Sequence, residues 1–485
     1  MYEALISLAI VLSWLAATMA IGSYVSIRYR RTGAEIWFVA GRRLGLLMLW
    51  LSLGANIYSA YTFLGLPGYT VKEGAKVLAI LVYGQLAYIL AYLITPRIWS
   101  VAKSRGYMTI SDFFEDRYNS RFLGALTAIV GALFSIPYIQ LQIQGVGYII
   151  DVAGYGFLNP FISKLTAFGL IAIFTIVGGM MSVALINALQ GAMILIAIWS
   201  IGFLVPFIHF GGIPQVFDVI QRVKPEMLTL TPNAVIWAVT TMMAASLGFW
   251  MWPNRIQGVF TARDVRIVKR NSFMLSFFQI SQIPVIIIGL TTLALILTGR
   301  LSLPIGPNGK PIYDYALMAV IRATFPSWVV GFVGAGAIAA AISTAAALLH
   351  VSGALFARNV YQRALRRGAK ERELMIAARL FTSIIAIVAL VLAVISPRLI
   401  VYLLLTAYAG ITQFFPGVIL GAWTKKDLRI PITIGLISGI IAVIITRGIL
   451  KDPLGIYGGF WGLAINVMTI AITYSILRIS SKPRN

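Results

Sequence analysis

The sequence predicts an all-α integral membrane protein of about thirteen transmembrane helices, one domain over residues 1–485. Two observations lead there. Of 485 residues, 59% are hydrophobic and only 11% charged, against roughly 25% charged in a soluble globular chain. The apolar residues also gather in segments of about 20, the length that spans a bilayer as a helix, with the charges collected between them.

The segments begin near Leu5, Leu46, Val77, Phe122, Leu165, Val183, Ala234, Phe273, Ser327, Ile376, Leu399, Pro431 and Trp461. The first runs to about Ser26 without a preceding basic stretch, and Arg28, Arg30 and Arg31 follow it, so it reads as a helix and not a cleaved leader. Lys and Arg favour the cytoplasmic side of short loops. With the N-terminus outside, the inner loops hold 28 of the 39 basic residues. The odd helix number then puts the C-terminus in the cytoplasm. The net charge of +24 is accounted for by these loops facing the bilayer surface and calls for no nucleic-acid partner.

Cysteine is absent and only His209 and His350 are present. That removes disulfides, thiolate chemistry and Cys- or His-cluster metal sites. On this reading every Asp, Glu, Lys and Arg falls in a loop or at a helix end. A buried carboxylate relay and a solute site built on a buried arginine are therefore both disfavoured. A membrane-embedded enzyme would need a buried catalytic group, and a channel a charged ring or carbonyl filter; the sequence offers none of these.

Two helices look interrupted. The second reads Leu51-Ser52-Leu53-Gly54-Ala55-Asn56-Ile57-Tyr58-Ser59-Ala60-Tyr61 and is expected to end in Gly65-Leu66-Pro67-Gly68. The seventh reads Ala244-Ala245-Ser246-Leu247-Gly248-Phe249-Trp250-Met251-Trp252-Pro253. Lying five helices apart, they fit two five-helix repeats of inverted topology, each opening with a broken helix. The division is an extra helix and inner loop over 1–43, repeats over 44–210 and 232–423, and two helices with a short tail over 424–485. The outer loops near 211–232 and 299–326 are expected to carry short surface helices.

The ninth helix contains Ala340-Ala341-Ile342-Ser343-Thr344. Two adjacent hydroxyls lie one turn beyond Ala340, and hard cations take oxygen donors. A kinked carbonyl at Ala340, the hydroxyls of Ser343 and Thr344, and carbonyls from an unwound stretch near Ala55 and Tyr58 would give about five oxygens, enough for sodium without a carboxylate. Ser and Thr in such a helix otherwise bond back to a carbonyl one turn earlier.

The chain resembles the sodium/solute symporter family over nearly its whole length. The resemblance rests on Gly41-Arg42-Arg43-Leu44-Gly45, Phe63-Leu64-Gly65-Leu66-Pro67-Gly68, Gly178-Gly179 with Gln190, Ala340-Ala341-Ile342-Ser343-Thr344 and Ala357-Arg358-Asn359-Val360-Tyr361. It implies inverted five-helix repeats of the LeuT type with helices two and seven broken. It also implies a sodium site on the carbonyls of Ala55, Tyr58 and Ala340 and the hydroxyls of Ser343 and Thr344, with sodium as coupling ion and no other cofactor. Within the family, Asn56-Ile57-Tyr58-Ser59-Ala60-Tyr61-Thr62-Phe63, Pro137-Tyr138-Ile139-Gln140-Leu141-Gln142 and Gln413-Phe414-Phe415-Pro416 are similar to runs in monocarboxylate permeases. The chain departs from the family at Asn56, Ile57, Asn187 and Asn359, where various members carry Asp. That puts a second cation site in doubt.

The expected activity is sodium-driven import of a small organic solute, a monocarboxylate such as lactate, pyruvate or a short-chain acid. An amino acid or other neutral solute is the alternative. Without a Lys or Arg in the core, a carboxylate would rely on half-helix N-termini and on the sodium itself. Candidate solute contacts are Asn56, Ser59, Tyr61, Thr62, Tyr138, Gln142, Trp250, Tyr408 and Gln413. Tyrosines also anchor helices at membrane interfaces. His350, seven residues beyond Ser343 and so expected on its face, raises proton coupling as a further alternative.

Overall fold

The computed structural model describes residues 1–480 apart from 30–33, 178–179 and 307–308. Gly178, Gly179, Arg30 and Arg31, used above, and the end of the tail, 481–485, lie outside the described residues. The described chain is helical; only two isolated bridges, Leu44 with Ala262 and Ile305 with Pro311, pair extended backbone. Among the described residues, eleven helical stretches are long and apolar enough to span a membrane, and Leu46–Ile57 and Pro160–Ala172 are shorter apolar helices. Together they match the thirteen expected segments one for one.

We number them α1 (Tyr2–Tyr29), α2a (Leu46–Ile57) with α2b (Leu66–Glu73), α3 (Leu78–Arg105), α4 (Arg121–Ala153), α5 (Pro160–Val177) and α6 (Met180–Phe210). The second set is α7a (Pro232–Gly248) with α7b (Pro253–Phe260), α8 (Val265–Leu297), α9 (Ser327–Ala354), α10 (Glu371–Ile395) and α11 (Ile400–Ile411, continued as Phe415–Trp423). The chain closes with α12 (Arg429–Val443) and α13 (Gly458–Ser480). The loops over 211–232 and 299–326 carry the short helices Ile213–Val223 and Ala316–Thr324, as their composition suggested.

Burial sorts the helices. In α9, 94% of the most apolar window is buried, against 22% in α13 and 28% in α1 and α10. α9 can be central because it is built of Gly and Ala. A Cβ at Gly331 would come 2.7 Å from Ser7 O of α1, and one at Gly353 would come 2.3 Å from Thr382 Oγ1 of α10. Small residues let membrane helices approach to backbone contact.

The two breaks lie where the sequence placed them, with one correction. Helix two does not end at Gly65-Leu66-Pro67-Gly68. It opens at Tyr58, whose φ/ψ of −77/129° is extended. It resumes through a π-helical turn at Tyr61–Gly65 and runs on to Glu73. Pro67 sits in the first turn of α2b, where a missing N–H breaks nothing. In helix seven, Trp252 is extended at −61/123° and Pro253 starts α7b.

A second correction concerns charge. Arg255, assigned to an inner loop by its sequence position, lies in α7b and is 2% exposed. The core therefore holds a buried cation.

On the side with most basic residues, Asp112 is fully buried. It accepts from Arg358 Nε at 2.9 Å, Asn359 Nδ2 at 2.9 Å and the N–H of Met108 at 2.7 Å. Arg42 donates to Tyr107 O at 2.6 Å and Phe260 O at 3.3 Å, fastening the loop before α2a to the end of α7b. The Gly41-Arg42 and Arg358-Asn359 motifs thus hold this end of the bundle together.

Candidate functional site

A broken helix releases carbonyls, and each must find another partner. In an unbroken helix two, the N–H of Ser59 and Ala60 would bond to Ala55 O and Asn56 O. Instead Ser59 N donates to Thr62 Oγ1 at 3.5 Å and Ala60 N to Gln142 Oε1 at 2.9 Å. Thr62 N turns to Ser59 O at 2.9 Å, leaving Tyr58 O without its helical donor. Three carbonyls are set loose within four residues.

They face α9. Ser343 Oγ lies 3.2 Å from Ala55 O and 2.9 Å from Ala340 O. Thr344 Oγ1 lies 3.1 Å from Asn56 O, 3.0 Å from Tyr58 O and 3.2 Å from Ala340 O. All five residues proposed from sequence therefore converge, joined by Asn56 O. Ala340 contributes without the expected kink, since α9 is continuous there. A hydroxyl carries one proton, so Thr344 can donate to only one of its three carbonyl neighbours. The remaining oxygens meet lone pair to lone pair, an arrangement that a hard cation relieves.

The second break is built differently. Phe249 O would bond to the N–H of residue 253, but Pro253 has none. Arg255 Nη1 fills that role at 3.0 Å and also donates to Tyr408 Oη at 2.8 Å. The guanidinium lies 3.9 Å from the Phe249 ring centroid, with Trp252 and Tyr408 near 6 Å at 5.8 and 5.7 Å. Aromatic rings close around it. Trp252 is 4.8 Å from Tyr138 and 5.4 Å from Tyr408, and Tyr83 is 5.8 Å from Tyr408, measured between centroids. Among the described residues Arg255 makes no ion pair.

Around these breaks several buried donors go unused. Among the described residues, Arg255 Nε, Gln142 Nε2, Trp252 Nε1 and the Tyr61 hydroxyl have no hydrogen-bond partner. Gln142 and Tyr138 are one turn apart on α4, so the amide and the ring against Trp252 share a face. One side-chain bond joins the two breaks: Asn254 Nδ2 donates to Asn56 Oδ1 at 2.7 Å.

Tyr61, Tyr138, Gln142 and Tyr408 are thus gathered around the breaks, and Asn56 links them. Four other candidates are placed otherwise. Ser59 Oγ accepts from Tyr61 N at 3.2 Å, and Thr62 Oγ1 from Ser59 N, so both cap the start of the resumed helix. Trp250 donates to Ala87 O at 2.8 Å and packs on Tyr88, tying the break to α3. Gln413 donates to Ala409 O at 3.0 Å and Gly459 O at 3.3 Å and meets Asn466, so it is glue between α11 and α13. His350 does not serve the site either; its ring centroid lies 5.5 Å from that of Trp37 and 6.1 Å from that of Phe38, in the segment before α2a. Sequence reasoning missed Arg255, Trp252, Asn254 and Tyr83. For the first three the signal was available: residues straddling a break in mid-membrane belong to the core.

The chain is similar to known transporters over nearly its whole length. The family model described as the Sodium:solute symporter family matches residues 37–429. An uncharacterized symporter of Bacillus subtilis, YodF, is 31% identical over 91% of this chain and 87% of its own. A monocarboxylate transport permease protein of Rhizobium johnstonii is 24% identical over 94% of each chain. The osmoregulated proline transporter OpuE of Bacillus subtilis is 25% identical over 99% of this chain and 96% of its own. Among solved structures, a substrate-bound, outward-open sodium-coupled sialic acid symporter aligns over 96% of this chain and 97% of its own, with a TM-score of 0.77 at 19% identity. That likeness establishes the LeuT-type fold of inverted repeats.

Proposed function

Since this chain belongs to the Sodium:solute symporter family and is a multi-pass membrane protein that couples a solute to sodium, we propose that its solute is a small monocarboxylate. The observation that carries the reading is Arg255, a buried guanidinium with no anionic partner among the described residues. Isolated charges are costly inside a membrane protein and mark its pathways. The unused donors at Arg255, Gln142, Trp252 and Tyr61 ask for a ligand rich in acceptors. A carboxylate offers about four lone-pair sites and no proton at neutral pH. Arg255 replaces the half-helix N-terminus that sequence reasoning assigned to the anion.

In this reading sodium occupies the oxygens of Ala55, Tyr58, Ala340, Ser343 and Thr344. The carboxylate sits on Arg255, with the Gln142 amide as a second donor and the aromatic rings of Tyr138, Trp252 and Tyr408 around the apolar end. Asn56 carries the coupling. Its carbonyl lies on Thr344 while its side chain holds Asn254, the neighbour of Arg255. Filling the oxygen cage therefore steadies the residue beside the anion site. One sodium with one monoanion leaves the loaded and empty carrier with equal charge, so turnover is expected to be independent of membrane voltage. The repeats span 44–210 and 232–423, the N-terminus lies outside and the C-terminus in the cytoplasm.

The test is uptake of radiolabelled lactate, pyruvate, propionate, alanine, proline, glucose and pantothenate into proteoliposomes, with and without a sodium gradient. Lactate, pyruvate or propionate should accumulate only with the gradient. A neutral sugar as the sole accumulated solute would overturn the reading. A sodium-coupled amino acid carrier is the second reading. It is favoured by Asn254 Oδ1, a buried acceptor without a partner, which suits an ammonium group.

A further inference from the structure

The outward face of α8 changes character within a few turns. Arg266, Lys269, Arg270 and Phe273 follow one another at helical spacing and line a groove of about 530 Å³ with Leu46 of α2a and Tyr92 of α3. Beyond them the same stripe continues with Phe277 and Ile280, and Phe273 and Phe277 are 68% and 56% exposed. Cations thus occupy the first two turns and apolar side chains the next two. At 1.5 Å per residue the change takes about 10 Å, the scale of a phospholipid headgroup meeting its acyl chains.

Nothing among the described residues pairs directly with these cations. Among the described residues Arg266, Lys269 and Arg270 make no ion pair. The carboxylate beside them, Asp264, is committed to capping α8 through Ile267 N at 3.0 Å and lies 3.7 Å from Arg263. The groove combines three unpaired cations, an amphipathic ring at Tyr92 and an apolar wall that faces lipid. A free anion would use the cations alone. A phospholipid uses both halves, because basic pockets between transmembrane helices suit acidic headgroups.

We infer that this groove binds the headgroup of an anionic phospholipid of the cytoplasmic leaflet, with its acyl chains along Phe273 and Phe277. The site also touches the moving parts. Met274, at the groove wall, accepts from Trp50 Nε1 of α2a at 2.9 Å. One turn on, Phe278 O accepts the hydroxyl of Tyr58, the residue at the break. Lipid in the groove braces α8 against the helix whose carbonyls form the oxygen cage.

The experiment is independent of which solute is carried. Purified protein is exchanged into nanodiscs of phosphatidylcholine alone or of roughly four parts phosphatidylcholine to one part phosphatidylglycerol, and the lipid it retains is measured by native mass spectrometry. Wild type should retain phosphatidylglycerol, and the triple variant R266Q/K269Q/R270Q should bind it about 100-fold more weakly. Inorganic phosphate should neither compete nor raise the thermal stability of the protein in detergent. A second variant, F273S, keeps the charges and should also lose retention. Equal retention by wild type and the triple variant would overturn the proposal. So would competition by inorganic phosphate, which would make the groove a simple anion site, or full retention by F273S.

Discussion

The oxygen cluster at Ser343 and the donor cluster at Arg255 lie at opposite ends of one side-chain bond, Asn56 to Asn254, yet they are made of different material. The first is mostly main chain. Its carbonyls are freed because helix two unwinds, and only the two hydroxyls of α9 belong to side chains. It has no formal charge and presents oxygen atoms alone. The second is built of side chains, with one fixed positive charge and a shell of rings and N–H groups. A neutral cage of carbonyls holds a cation only weakly unless an anion arrives nearby. A buried guanidinium tolerates its position poorly until the same event. If sodium fills the first and a carboxylate the second, each ligand offsets the charge the other brings, which is the physical content of coupling.

The sharpest way to break the comparison is to remove the two hydroxyls. The double change S343A/T344A leaves the carbonyls of Ala55, Asn56 and Tyr58 facing methyl groups. Sodium activation of uptake should fall by about 100-fold or more, consistent with losing two of five oxygens. Initial uptake rates titrated with sodium against a choline background check this. An unchanged half-saturating sodium concentration would remove the cage.

Next comes the charge. R255Q removes the guanidinium from the carboxylate, and truncating one partner of a buried charge pair costs about 2–5 kcal/mol. Half-saturating monocarboxylate should rise by roughly 30-fold or more, with R255K recovering part of the loss because it restores charge without the fork. Sodium binding measured without solute should survive in R255Q. If both ligands fail together, the two sites are one.

The link itself predicts a smaller effect. N56A keeps the main-chain carbonyl on Thr344 and deletes the hydrogen bond to Asn254. Binding of each ligand alone should change little, while the sodium-induced gain in solute affinity should fall about tenfold, the scale of a coupling energy of 1–2 kcal/mol. Isothermal titration of solute with and without sodium reads this directly.

The contrast also explains what the sequence could tell. Thirteen segments, two breaks and the five-residue cage were legible, because length, Gly and Pro placement and paired hydroxyls leave local signatures. The cluster around Arg255 was not, for a specific reason. Counting charges assumed that helix seven ended at Pro253, so Arg255 was given to a loop. Yet a helix that breaks in mid-membrane keeps the residues beyond its break in the core. Gln413 and Trp250 failed in the opposite sense. Both are polar residues on the right helices, but their partners, Gly459 and Ala87, come from elements distant in sequence. The inner ion-pair cluster at Asp112 was equally hidden, since it joins residues 246 positions apart.

A last expected effect separates the core from the loop that covers it. Asp314, in the loop between α8 and α9, is 1% exposed; its Oδ2 accepts Ile400 N at 3.1 Å at the start of α11, and its Oδ1 has no partner. Tyr313 O rests against Gly68 of α2b, where a Cβ would come within 2.6 Å. Burial holds the Asp314 carboxyl up at about 8, only partly offset by the Ile400 N–H and Lys72. The folded state therefore keeps a proton that the exposed carboxyl, titrating near 3.9, gives up. Where the folded chain binds more protons, stability falls with rising pH. This contribution is complete below about pH 4 and is lost by the time the pH passes 8, at up to about 1.4 kcal/mol per pH unit. Hydrogen exchange of residues 313–324 and 400–411 should accelerate between about pH 5 and pH 8 beyond the intrinsic rate. D314N, neutral at every pH, should flatten that slope while leaving the protection of residues 55–58 unchanged. A slope that persists in D314N would assign the titration elsewhere, and a change at residues 55–58 would mean that the covering loop and the oxygen cage open as one unit.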